Sequence, residues 1–105
     1  MDLFAAVADP TRRHIIELLS VNEQMSASEI FEHFDVSPQA ISQHLKVLRE
    51  SELVTVERRA QMRIYRLNDE RLDEMEKWIR NIRQRWSRRL DALGDVLKAN
   101  RTPLN

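Results

Sequence analysis

The sequence predicts a mainly α-helical fold with one small β-hairpin. Three observations lead there. Glycine occurs once and proline three times in 105 residues, so loops must be short. Apolar residues recur at helical spacing through most of the chain. Within residues 53–67 that period gives way to alternating polarity in β-branched and aromatic residues.

Each element carries its own signal. Residues 2–8 are a short apolar segment of one or two helical turns. Asp9-Pro10 starts the next helix: aspartate accepts from the free amides of the first turn, and proline lacks an amide where none is needed. Ile15, Ile16, Leu18 and Leu19 give that helix an apolar face to about Ser20, so the N-terminal helices occupy 2–20. Ser26 and Glu29 stand at capping-box spacing and open a short helix over 26–34. Ser37-Pro38 repeats the cap-plus-proline signal for a helix over 37–51. Residues 53–58 and 62–67 read as two strands joined near Arg59-Ala60-Gln61. Asn68 or Asp69 caps a last helix over 70–99. Residues 1–105 are expected to form one domain, with 26–51 as a helix–turn–helix and 53–67 as its hairpin.

Composition excludes several classes. Hydrophobic residues are 42% and charged residues 32%, too apolar a balance for a disordered tail. No apolar run approaches the length of a transmembrane helix or a secretory signal, so no membrane partner is expected and the cytoplasm is the expected compartment. The absence of cysteine removes disulfides, thiolate metal sites and cysteine nucleophiles. His14 with Glu17, and His33 with Glu29, have the spacing of ordinary helix side-chain pairs and fall short of the three or four ligands zinc requires. No glycine-rich phosphate loop, nucleophile elbow or zinc-hydrolase motif is present, so neither enzyme activity nor a cofactor is expected.

Net charge is zero, but its distribution is uneven. Residues 1–36 carry two basic and seven acidic groups, residues 37–68 six and three, and residues 69–105 nine and seven. The basic middle third is either an uneven solvated surface or the local cationic face that phosphate contacts need.

The helix over 37–51 separates the two faces a reading helix requires. At about 100° per residue, Ile41, Leu45 and Leu48 fall on one side, and Gln39, Ser42, Gln43 and Lys46 on the other. The second group is a row of short hydrogen-bonding side chains and one cation, with no acid before Glu50. Glutamine can read adenine bidentately, serine serves several bases, and lysine pairs with phosphate or guanine. Ser37 caps the helix and thereby also presents its N-terminal amides to a phosphate. His44 lies beside the core edge, where it either packs with a hydrogen bond or reaches a groove. Arg58, Arg59 and Arg63 cluster at the hairpin tip. There they either keep an edge strand from pairing or reach the DNA backbone or minor groove.

These residues resemble a known family. The stretch Ala8-Asp9-Pro10-Thr11-Arg12-Arg13 with Ile15, Leu18 and Leu19, then Ser37 through Leu48, then Leu53-Val54 and Tyr65-Arg66-Leu67, is similar to the ArsR/SmtB family of winged helix–turn–helix repressors. The resemblance covers nearly the whole chain. It implies homodimers, double-stranded DNA as partner, Gln39, Ser42, Gln43 and His44 in the major groove, and the wing on the backbone. It also implies a dimer interface from the first and last helices: Leu3, Phe4, Leu72, Met75, Trp78, Ile79, Ile82, Trp86, Leu90 and Leu93. The chain departs from the family at Glu52, where members often have glycine, and in a wing without glycine. It also lacks the cysteine pair of the arsenic and cadmium sensors and the last-helix histidines of the zinc sensors, so no metal is expected and the effector stays open.

The last helix supports dimerisation independently. Its apolar residues at 72, 75, 79, 82, 86, 90, 93 and 97 have a mean spacing of about 3.6, the period of a straight amphipathic helix. Thirty residues span roughly 45 Å, longer than a body this small needs for its own cover, which favours a dimer over packing within one chain only. The expectation is a sequence-specific, homodimeric repressor on an imperfect palindrome. A winged-helix adaptor for other proteins is the alternative.

Overall fold

In a computed structural model the helices and hairpin fall in the expected order. The structure describes residues 2–100, and their side chains to Leu97; Met1 and 101–105, part of the expected single domain, lie outside them. The elements are α1 (Leu3–Ala6), α2 (Pro10–Asn22), β1 (Gln24–Ser26), α3 (Ala27–Phe31), α4 (Pro38–Glu50), β2 (Val54–Arg59), β3 (Met62–Leu67) and α5 (Asp69–Asn100). The described residues fall into two compact units, divided between Leu72 and Asp73. A single helix satisfies its own backbone from i to i−4, so the greater part of α5 forms a unit by itself.

The local signals act as expected. Asp9 accepts from the Arg12 amide at 3.0 Å with Pro10 at the first helical position. Both bonds of the capping box form: Ser26 Oγ accepts from the Glu29 amide at 3.1 Å, and Glu29 Oε1 from the Ser26 amide at 2.9 Å. Ser37 Oγ accepts from the Ala40 amide at 3.2 Å. Asn68 starts α5, accepting from the Glu70 amide, and its own side chain donates to Glu52 O at 2.8 Å, which ties the base of the wing.

Two helix ends and one strand depart most from expectation. Helix α2 runs two residues further, to Asn22. Helix α3 ends at Phe31 rather than 34, because the amides of His33 and Phe34 turn back to carbonyls three residues earlier. Strand β1 was not expected at all. Its three residues are too few for an alternating pattern, and it exists because β3 supplies its partner: Gln24 pairs with Arg66, Met25 with Tyr65 and Ser26 with Ile64. The hairpin is thus part of a three-stranded antiparallel sheet of order β1-β3-β2.

The core of residues 1–72 gathers Ile15 and Leu19 from α2, Ile30 from α3, Ile41, Leu45 and Leu48 from α4, and Leu53, Val54, Ile64 and Tyr65 from the wing. Leu3, expected between subunits, is instead a core residue at 6% exposure. Its side chain is already removed from water and has little surface left for a second copy. Helix α4 closes with the two bonds of a Schellman motif, Leu53 amide to Leu48 O and Glu52 amide to Arg49 O, both 3.0 Å. Glu52 accordingly adopts φ 63°.

Residues 73–97 are a helix with an open apolar stripe. Trp78, Ile79, Ile82, Trp86, Leu90 and Leu93 are all exposed, Trp86 at 58%. Leu72 and Met75 are half-buried. Ion pairs Lys77–Asp73 (3.2 Å) and Arg80–Glu76 (2.7 Å) run along the polar side at i,i+4 spacing. No described helix is long and apolar enough to cross a membrane.

Candidate nucleic-acid interface

Helix α4 presents two faces because its sequence alternates at helical period. Ile41, Leu45 and Leu48 are within 2% of complete burial, while Gln39, Ser42, Gln43 and Lys46 are exposed. The row makes no hydrogen bond to another element among the described residues. Its one ion pair is Lys46 with Glu50, at a loose 4.0 Å. Ser37 is exposed at the start of the same helix, its hydroxyl engaged as the cap.

Between α4 and the sheet lies a concavity of about 210 Å³, lined by Ser42, Gln43, Lys46, Arg49, Arg63 and Tyr65. Two of these were missed. Arg49 follows Ser42 and Lys46 at i+7 and i+3, so helical period alone would have placed it in the row. Tyr65 carried only a strand signal in the sequence, and no local pattern marks where its hydroxyl opens.

Strand register separates the three wing arginines. Arg58 pairs directly with Arg63 across the β2–β3 ladder, so the two side chains share one face. Tyr65, two residues beyond Arg63, lies on that face too. Arg59 is one residue on and faces the other way. It donates to Glu57 at 3.1 Å and to Gln24 Oε1 at 3.4 Å. Gln24 Oε1 also accepts from Arg66 at 2.8 Å. The expected trio is therefore a pair, Arg58 and Arg63, and one arginine held by acid and amide on the opposite face. Neither Arg58 nor Arg63 forms an ion pair among the described residues.

His44 is half-buried and meets α2 through one ring nitrogen. Arg12 Nη1 stands 3.2 Å from its Nδ1, and Asp9 Oδ2 stands 3.7 Å from the same atom. Arg12 also donates to Ala6 O at 2.6 Å and Ala5 O at 3.3 Å, so one guanidinium joins α1, α2 and α4. The Arg12 amide donating to Asp9 holds its carboxyl below the usual carboxylate range; the His44 and Arg12 charges add to this, against partial burial. The backbone and hydroxyl of Ser26 likewise hold the Glu29 carboxyl low.

No group of three or more His, Asp or Glu side chains capable of holding an ion occurs among the described residues. His14 instead meets the edge of Phe34, ring centroids 4.9 Å apart.

The sequence profile described as bacterial regulatory protein, arsR family, matches residues 9–56. Transcriptional repressor SdpR of Bacillus subtilis (strain 168) is 39% identical over 80 residues, covering 76% of this chain and 88% of that protein. An arsenical resistance operon repressor of Staphylococcus xylosus is 38% identical over 71 residues, 68% of this chain and 67% of its own. Among solved structures, an ArsR-like transcriptional regulator from Rhodococcus sp. RHA1 superposes with a TM-score of 0.78 at 32% identity, covering 90% of this chain and 88% of that one.

Proposed function

This chain belongs to the arsR family of bacterial regulatory proteins and is a DNA-binding transcriptional regulator rather than an enzyme; from that premise we propose that it is a homodimeric repressor of a promoter bearing an imperfect palindrome. Two copies of α4, related by a two-fold axis, enter successive major grooves about one helical turn apart. Gln39, Ser42 and Gln43 read base edges. Lys46, Arg58 and Arg63 hold phosphates, and the amide end of α4 at Ser37 adds a further phosphate contact. Repression follows from occupation of the promoter in the cytoplasm.

The observation that carries this reading is the exposed, acid-free row on α4, which no other described element covers. A carboxylate in that row would repel phosphate, and a packed row could not meet bases. Dimerisation is supported by the exposed apolar stripe of α5, since a contiguous patch of large apolar side chains marks an interaction surface.

Selection of binding sites from random duplex DNA tests the reading. The expected result is an enriched sequence with two-fold symmetry. Ser42→Ala with Gln43→Ala should then reduce discrimination between sequences. Failure to enrich any duplex would leave the adaptor alternative.

A further inference from the structure

Resting on the reading of α4 as the DNA-facing helix, we propose that the concavity between α4 and the wing seats one phosphate group of the DNA backbone, with the Tyr65 hydroxyl as its neutral donor and Lys46, Arg49 and Arg63 as its cations.

Tyr65 carries the inference. The residue is 4% exposed and its backbone is paired on both sides, to Met25 in β1 and Val56 in β2. Its hydroxyl nevertheless makes no hydrogen bond among the described residues. No buried side-chain nitrogen or oxygen there is left without a partner, so this oxygen keeps contact with solvent, and Tyr65 is one of the residues lining the concavity. A tyrosine this deeply held usually finds a partner for its hydroxyl. Here the partner would come from outside the chain.

The surroundings state its chemistry. Three cations and no acid line the concavity, and Arg58 adds a fourth positive charge across the ladder from Arg63. Like charges so gathered repel until an anion arrives, and arginine forks match phosphate oxygens. The volume, about 210 Å³, is below the roughly 300–1,000 Å³ of pockets for free organic ligands, which favours one group projecting from a large partner. Ser42 and Gln43 line the same space. A phosphate fixed there would tie α4 and the wing to one point on one strand, and so set the register in which the row meets base edges.

The test uses the intact protein and the duplex it selects. Tyr65→Phe keeps the ring and removes only the donor. It should bind every duplex several-fold more weakly with the selected sequence unchanged. Arg49→Gln and Arg63→Gln should each flatten the dependence of log affinity on log salt by about 0.9. Scanning a neutral methylphosphonate along each half-site should find one position where wild type loses affinity and Tyr65→Phe loses nothing further. Should Tyr65→Phe fail to fold, Arg63→Gln carries the same cycle, because its side chain is exposed. The ring resonances of Tyr65 should shift with duplex and not with inorganic phosphate at matched ionic strength. Full additivity at every methylphosphonate position would overturn the seat. So would a response to inorganic phosphate that leaves DNA affinity unchanged, which would assign the site to a small free anion. A wild-type protein that enriches no duplex would instead overturn the regulatory reading itself.

Discussion

Arg58 and Arg63 stand directly opposite one another in the β2–β3 ladder, with no acid paired to either among the described residues. A cross-strand pair of like charges weakens a hairpin. The arrangement makes sense when the opposing charge belongs to another molecule. Arg58→Thr should therefore stabilise the free protein by about 0.2–1 kcal/mol while weakening its binding to all duplexes. The salt slope should flatten by about 0.9. Thermal unfolding and a salt titration check the two halves separately; a loss confined to one sequence would mean that Arg58 reads bases.

Glu52 ends α4 at φ 63°, a conformation that costs a side-chain-bearing residue free energy and glycine little. Glu52→Gly should raise stability by about 0.5–1 kcal/mol, the relief of strain being partly offset by the greater freedom of glycine in the unfolded chain. The substitution leaves the exposed side chains of the α4 row unchanged, so DNA specificity should be unchanged. Chemical denaturation reads the first outcome and site selection the second.

Asp9 caps α2 and stands beside His44 on α4. Asp9→Ala should cost about 1 kcal/mol at neutral pH, the usual worth of such a cap. The folded pKa of Asp9 is lowered, so its stabilising effect is complete above the unfolded carboxylate value and is lost as pH falls through the folded one. The gap in stability between wild type and variant should accordingly close on acidification below the ordinary carboxylate range. Unfolding curves over a pH series measure it; a gap independent of pH would show that the carboxylate charge contributes nothing.

Trp86 and Ile82 lie four residues apart on the exposed stripe of α5. If the proposed dimer forms through this stripe, Ile82→Glu with Trp86→Glu should leave a monomer in sedimentation where the wild type is a dimer, because two carboxylates cannot be buried against an apolar partner without neutralising. DNA affinity should fall steeply with it, since the two half-sites would no longer be engaged by one linked particle. A variant that remains dimeric would place the interface elsewhere.

The family assignment and the α4 row were legible because they rest on local order. Caps at Asp9, Ser26 and Ser37 act within three residues, and the separation of Ile41, Leu45 and Leu48 from Gln39, Ser42 and Gln43 follows from helical period alone. The extent of the row was also readable, although Arg49 was passed over. Other features were not. Strand β1 has no pattern of its own, and the positive φ of Glu23 just before it has no glycine to signal it.

What sequence alone determined, then, is every element whose stabilising contacts lie within a helical turn or a hairpin: the helices, their caps, the two wing strands and the polarity of α4 and α5. Tertiary structure decided what depends on partners far along the chain. Arg12 reaches His44 across 32 positions, and Gln24 reaches Arg66 across 42. Those contacts joined α1 and α2 to α4 through Arg12 and gave β1 its place beside β3. The physical reason is that such contacts close long loops, and only the packing of the whole core compensates the entropy of closing them.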